Sequence, residues 1–480
     1  MSHGHEIHIQ QENYQFKGKA KTLSLGLLVV GLVFTIIGIF SAYNSDSTDT
    51  HHAAATSQEH HEAPATAEHA DASHGDAHAS DVHEANAYPG QNILGVDIGH
   101  SDPALYPIVQ EHAKPWYTRV YLNLLLNGYY ILLVSICALF FFALQYAANA
   151  GWATVILRVP LAMSTIIPVG AIILIAVFLI DGSNIYHWVH YEHLHLKKGD
   201  VGFDKILDDK SWFLNTKLAL GFLIAIPIIW MLFLRKMRSM AFREDLDGGT
   251  GFFNKQIRYS AAFIFIFAFS LSIMSWVVNM SVDAHWYSTM FSVYNFATGW
   301  VSAIAVILLI VLYLKRNGYL ELVTEEHTHD LAKLMFAFSI FWTYLWLSQF
   351  LLIWYANIPE ESVYFYQRWE APFIAQFLMN LVLNFLIPFL VLMTRDNKRN
   401  PKIVTWVAIL ILIGHWNDLH LMLMPGPLNT QAGIGFLEIG MTMAFAGLFM
   451  YWIFTALSKR GLVSVKHPYL EESAHHDVGV

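Results

Sequence analysis

Residues Ile403–Met424, IVTWVAILILIGHWNDLHLMLM, form an apolar run long enough to cross a bilayer as one helix. Its last part nevertheless carries two histidines, an aspartate and an asparagine. At about 1.5 Å per residue, His415 lies roughly 18 Å along a hydrocarbon core about 30 Å thick, and His420 about 25 Å along it. An ionisable group at that depth costs at least about 2–3 kcal/mol unless it is paired or wetted, so it marks a polar pathway facing the protein interior. His415 and Asp418 are three residues apart and share a helix face. Two readings stay open: a buried His–Asp pair that ties two helices together, or groups that move protons or contact a redox ligand.

Outward from this stretch, the composition agrees with a membrane chain. Of 480 residues, 55% are hydrophobic and only 14% charged, against about 25% charged in a soluble domain. The expected class is an all-α integral membrane protein. The one cysteine, Cys137, lies in an apolar run; this excludes a disulfide framework, a Cys-ligated iron–sulfur cluster and a CxxCH haem attachment. Electrons passing nearby would therefore be carried by metal centres in other chains. The net charge of −9 counts 25 histidines as neutral, so it says little about soluble partners, and no nucleic-acid partner is expected.

Taken in order, residues 1–22 are a polar leader with Lys17, Lys19 and Lys21 ahead of the apolar run Leu23–Ala42, the first expected transmembrane helix at 23–42. Glu6 and Glu12 and the poor cleavage site Ser41-Ala42-Tyr43 argue against a cleaved signal peptide. Residues 43–118 form a linker. Its first part, Asn44–Ala87, is built of Ala, His, Asp, Glu, Ser and Thr, and cannot bury enough apolar surface to fold alone. Prolines punctuate its second part, and Trp116 and Tyr117 suit a membrane interface. Residues 119–456 hold nine more apolar runs: Tyr121–Tyr146, Val155–Ile180, Trp212–Leu234, Tyr259–Met280, Met290–Leu314, Leu331–Tyr355, Pro372–Thr394, Ile403–Met424 and Gly433–Ala456. Ten transmembrane helices are thus expected, with a tail at 457–480. An N-terminus inside assigns 20 of the 28 Lys and Arg residues to the cytoplasm and the remaining 8 (28 − 20) to the outside. This predicts a multi-pass protein with both termini cytoplasmic.

The same topology sorts the ionisable residues. Asp181 closes the third helix on the outer side, and Asp283 and His285 close the fifth there. Glu438 lies near the outer start of the tenth, level with His420. Asp181, Asp283, His285, His415, Asp418, His420 and Glu438 are therefore the candidate proton path, a wet half-channel opening outward. The inner half offers Asn380, Asn384 and Gln349, which suit interhelical contacts. His187, His190, His193 and His195 are dense enough to hold zinc or copper, yet no second ligand cluster accompanies them, so no metal is expected. The lysines and aspartates that follow, from Lys197 to Lys210, read as a small docking surface. Asp247-Gly248-Gly249-Thr250-Gly251 lacks the GK[ST] ending of a phosphate cradle and reads as a turn.

Two stretches carry a family resemblance. Met274–Gly299, MSWVVNMSVDAHWYSTMFSVYNFATG, and His329–Glu361, HDLAKLMFAFSIFWTYLWLSQFLLIWYANIPEE, resemble the membrane subunits of bacterial alternative complex III, relatives of the polysulfide-reductase membrane anchor. The resemblance covers most of the chain from about residue 119. Two membrane subunits of that assembly share a ten-helix plan. The His-rich N-terminal segment and the GHWNDLHLMLMPG ending of the ninth helix are more similar to the one associated with a proton path than to its sister, which is associated with the quinol pocket. The resemblance implies two four-helix bundles with a flanking helix at each end, in a bacterial inner (cytoplasmic) membrane. It further implies a place in a quinol:cytochrome c or oxidase-linked oxidoreductase that contributes a proton path rather than a redox centre. The partners it implies are an iron–sulfur subunit, a c-type cytochrome and a sister membrane subunit, with a terminal oxidase as a further candidate; haem and iron–sulfur clusters belong to those chains. Ser275 stands where the family pattern has an acid before Trp276, although Asp283 and His285 match it. The runner-up reading is a quinone or menaquinone pocket at Asp181, His285 and His415, which would make this chain directly catalytic. A His-rich metal transporter is the weakest alternative.

Overall fold

Among the described residues ten helices are long and apolar enough to span a membrane: α1 (Lys19–Asn44), α2 (Trp116–Ala147), α3 (Thr154–Ile185), α4 (Thr216–Asp247), α5 (Thr250–Val278), α6 (Phe291–Arg316), α7 (Glu325–Ala356), α8 (Ile374–Val391), α9 (Pro401–Leu423) and α10 (Phe436–Leu457). The computed structural model describes residues 13–59 and 114–477, except 197, 201, 370 and 429–431. Most of the expected linker, 60–113, and most of the polar leader therefore lie outside the described residues. The all-α membrane class is what the fold shows, and among the described residues there is no strand, only an isolated bridge between Asn13 and Gly461. Outward faces are apolar: Ile172, Phe265, Leu352 and Trp406 are between 65% and 68% exposed, as expected of surfaces that meet acyl chains.

Helix ends depart from the apolar runs where polar residues continue a helix without a breaker. The first helix continues past Ala42 to Glu59, through a stretch with neither Gly nor Pro. α4 continues past Leu234 to Asp247, carrying a row of arginines with it. It stops at Gly248 and Gly249, whose φ angles of 68° and 73° only glycine adopts without strain; the glycine-rich stretch is a turn, as its sequence reads.

Neighbour relations follow from which faces are small or polar. α2 packs on α3, α3 on α4, α4 on α5 and α5 back on α2. In the second half α6 packs on α7, α7 on α8, α8 on α9 and α9 back on α6. α2 and α6 touch each other and form the centre, with 83% and 78% of their most apolar windows buried.

α1 and α10 lie outside both sets and run against each other in opposite directions. A Cβ at Gly31 would sit 2.3 Å from the Ala444 nitrogen, and one at Gly38 would sit 2.4 Å from the Leu437 nitrogen. Across the seam, Gly440 meets Thr35 and Gly447 meets Leu28, each at 2.5 Å from the backbone nitrogen. Glycines at these four positions let the backbones approach, the usual basis of helix adhesion in lipid. The short segment between α9 and α10 places them in the sequence as neighbours or nearly so; in the fold α10 packs chiefly on α1, α2 and the start of α3, where its glycines fit the α1 backbone.

The Asn13–Gly461 bridge and the Tyr14–Phe454 ring contact bring the first described residues and the end of α10 to one end of the bundle, the near end. The tail is packed there. Ser473 donates to the Trp152 carbonyl at 2.7 Å, and His476 Nε2 lies 2.7 Å from Asp330 Oδ2. Burial, with Arg158 nearby, pushes the His467 ring down to about 4. At the opposite, far end, short helices His187–Leu194, Lys205–Lys210 and Pro359–Trp369 cover the bundle.

Candidate functional site

The second half of α9 is buried on every side from Gly414 to Leu423. It starts at a glycine because a Cβ at Gly414 would lie 2.2 Å from Asn384 Oδ1. Asn384 belongs to a π-helical turn, Val382–Leu386, in α8. Such turns interrupt the regular hydrogen-bond ladder and often accompany functional sites.

Asp418, only 1% exposed, is where α6, α7, α8 and α9 meet. Its Oδ1 accepts from the Tyr294 hydroxyl and from Asn380 Nδ2, the latter at 2.8 Å. Its Oδ2 accepts from the Thr298 hydroxyl at 2.9 Å and from Trp342 Nε1 at 3.1 Å. Asn384 Nδ2 in turn donates to Asn380 Oδ1 at 2.6 Å, which orients that amide. All four donors are neutral, and among the described residues Asp418 has no cationic partner. The arrangement can stabilise a carboxylate by hydrogen bonds alone, and it leaves the group free to take a proton without breaking an ion pair.

His415 does not pair with Asp418. Its ring packs edge-on against Trp342 at 5.6 Å, and neither ring nitrogen has a hydrogen-bond partner among the described residues. Trp342 thus touches both groups. On the far side of Asp418 lies a cavity of about 30 Å³, walled by Trp286, Tyr294, Gln349, Tyr364, Arg368 and Asn380 among others. That volume holds about one water.

The other candidates lie elsewhere. Glu438 is held by Arg119 on α2 (Nε–Oε1 2.8 Å, Nη2–Oε2 3.0 Å), by Asn123 Nδ2 at 3.0 Å, and by the Gly435 backbone nitrogen at 2.7 Å. It therefore fastens the N-terminus of α10 to α2. The His420 ring lies 5.5 Å from that of Trp416, tilted by 42°, within electrostatic reach of Glu438 and Arg119. Asp283 accepts from Arg368 Nη2 at 2.7 Å, and the same guanidinium donates to the Leu421 carbonyl at 2.7 Å, closing the end of α9. Asp181 sits at a kink in α3 and accepts from Asn184 Nδ2 at 2.6 Å.

His285 is at the far-end surface, 2.5 Å from Asp204 Oδ2 and with its ring 5.9 Å from His187. Burial and the neighbouring His285 hold His187 below its usual range. Burial pushes the Asp204 carboxyl up, but its bond to His285, that ring's charge and two backbone N–H groups outweigh burial and hold it below the ordinary carboxylate range. Asp181, His285 and His415 do not line the cavity beside Asp418. Among the described residues no three His, Cys, Asp or Glu side chains are placed to hold a metal ion, the His187–His195 stretch included.

No protein-family model matches this chain, and no curated protein matches it.

Tyr294, Thr298 and Trp342, which complete the Asp418 site, do not stand out in the sequence as site residues. A signal for two of them is present in Tyr294, Thr298 and Ser302, polar groups at i, i+4 and i+8 on one face of an apolar span. In the sequence Arg119 and Arg368 serve only as topology markers, so their carboxylate partners look unpaired. The inner half reads as offering only Asn380, Asn384 and Gln349, yet Asn380 and Gln349 lie beside Asp418 and the near end buries Glu244, Arg158 and His327.

Proposed function

We propose that this chain is a membrane subunit of a respiratory quinol-oxidising complex of the alternative complex III kind, and that α6–α9 provide a proton-accepting site centred on Asp418. The observation that carries this reading is a fully buried carboxylate held by four neutral donors, with no counter-ion among the described residues, on the wall of a water-sized cavity. A group kept only to join helices would be better served by a paired or apolar contact, since an unpaired charge in lipid is costly. Protons reach Asp418 through the Tyr294 hydroxyl, which gives its proton to the carboxylate as it takes another from the cavity side, while Asn380 holds the carboxylate in place; His415, beyond Trp342, is the onward acceptor, with neither ring nitrogen partnered among the described residues. Asp283, Glu438 and Asp181 shape the far end around this route.

On this reading the chain lies in a bacterial cytoplasmic membrane with its near end, and both termini, on the cytoplasmic side. Iron–sulfur and c-type cytochrome subunits carry the electrons, alongside a sister membrane subunit. The complex as a whole is the oxidoreductase. A quinone pocket in this chain is the less favoured reading. The cavity beside Asp418 is too small for a quinone ring, and the three residues named for that role do not share it.

The test is Asp418→Asn, which keeps shape and most hydrogen bonding but removes the titratable group. In native membranes the complex should assemble while coupled turnover falls by about 100-fold or more. His415→Phe should also assemble with reduced turnover. Full activity in Asp418→Asn would refute the proton role.

A further inference from the structure

At the near end, the extension of α4 past its apolar run opens a groove of about 540 Å³ against the start of α3. Four guanidinium groups line it: Arg235, Arg238 and Arg243 from α4, and Arg460 from the segment after α10. No acidic side chain lines it. The carboxylates of the same turn face elsewhere: Glu244 accepts from the Tyr146 hydroxyl at 3.1 Å and Asp245 accepts from Arg158. Among the described residues none of the four lining arginines has a carboxylate partner.

Their positions are nonetheless organised. The guanidinium carbons of Arg238 and Arg460 lie 5.4 and 4.9 Å from the centre of the Phe242 ring, and that of Arg158 lies 4.7 Å away. Three cations thus gather round one aromatic ring, which holds like charges close together without neutralising them. The deeper wall is apolar, formed by Pro168, Met231 and Leu234. On the same two spans Ile172 and Leu232 are exposed apolar side chains.

We infer that this groove binds one anionic phospholipid, its phosphate headgroup among Arg235, Arg238, Arg243 and Arg460 and its acyl chains along Pro168, Met231 and Leu234. Charge complementarity selects an anion, and guanidinium groups suit phosphate because their paired N–H groups match its oxygens. The apolar wall selects a lipid over a free phosphate or an acidic peptide. The groove lies at the level where α4 leaves its apolar run and its arginines begin, which is where headgroups reside.

The experiment uses the full chain, purified in detergent, stripped of lipid, and titrated separately with phosphatidylglycerol, phosphatidylcholine and inorganic phosphate while bound lipid and thermal stability are followed. Phosphatidylglycerol should bind and raise the melting temperature, and the other two should not. Arg238→Gln with Arg460→Gln should weaken phosphatidylglycerol binding by roughly 30-fold, at about fivefold per arginine. Lys236→Gln with Lys459→Gln, which removes the same charge outside the lining, should leave binding within about twofold. Should the double arginine variant fold poorly, Arg243→Gln with Arg460→Gln, both on exposed positions, gives the same comparison. Equal weakening by the lysine and arginine pairs would overturn the site as mere surface charge. Equal stabilisation by inorganic phosphate would overturn the lipid, and failure of phosphatidylglycerol to bind would overturn the whole inference.

Discussion

Along α1 and α10 the helices meet backbone to backbone through four glycines, and among the described residues no ion pair joins them. Where α6, α7, α8 and α9 meet, they do so around one carboxylate and its four side-chain donors. Lipid tails are as apolar as leucine, so neither contact gains from a hydrophobic driving force. The glycine seam adheres by van der Waals contact and leaves no polar group to satisfy. The Asp418 centre must offset the desolvation of a charge. The α1–α10 seam shows that this chain can join helices without buried charge, so adhesion alone does not account for the Asp418 carboxylate.

The largest effect should come from removing the centre outright. Asp418→Ala removes the acceptor shared by four buried donors, leaving Trp342 Nε1 only its bond to the Thr298 hydroxyl at 3.1 Å, and a loss of about 3–5 kcal/mol is expected, seen as failed assembly in membranes. Normal assembly of that variant would mean the donors find other partners, and the contrast with the seam would collapse.

The seam should respond to bulk alone. Gly440→Leu drives a side chain into the α1 backbone and should cost about 1–3 kcal/mol in thermal stability with turnover unchanged. Gly221→Leu on α4, where nothing lies within 4 Å of an added Cβ, is the matched control and should cost nothing measurable. Equal losses from the two would show that the close approach is not what matters.

Between the two regions lies the Arg119–Glu438 clasp, which is polar yet fastens α10. Glu438→Gln should lower stability by roughly 1–2 kcal/mol, because Arg119 keeps some solvent contact and is only partly uncompensated. Turnover should hold once the complex is assembled. A fall in turnover with stability intact would move Glu438 from the clasp to the proton route.

The smallest effect is expected at the far-end cap. His187 is held below its ordinary value of 6.5, so the opened state takes up the proton more readily. Its contribution is therefore present above pH 6.5 and is lost as pH falls below that value. Asp204 adds in the same direction, its share being lost only in more acid solution. A spin label at Lys198→Cys should gain mobility as pH drops from 7.5 to 5.5, and a flat profile would show that His187 does not govern the cap.

Apolar runs make the ten spans readable from sequence, since a run of about 20 such residues has few other uses. Asp418 and His415 are readable for the converse reason, as polar groups inside such a run. What stays hidden depends on which helix faces which. Arg368 belongs to Asp283 and Arg119 to Glu438 only because the fold joins residues 85 and 319 positions apart. The placement of α10 is hidden for the same reason: a short connection suggests adjacency, whereas glycines spaced along a distant helix decide it.

The seam also sets an order of events during synthesis. Gly31 and the Ala444 it packs against are 413 residues apart (444 − 31). At roughly 5–20 residues per second, the ribosome delivers the partner about 20–80 s after α1 has emerged. For that interval the glycine face of α1 is turned to lipid or to the insertion machinery, and α1 is locked in place only after α10 has followed it out.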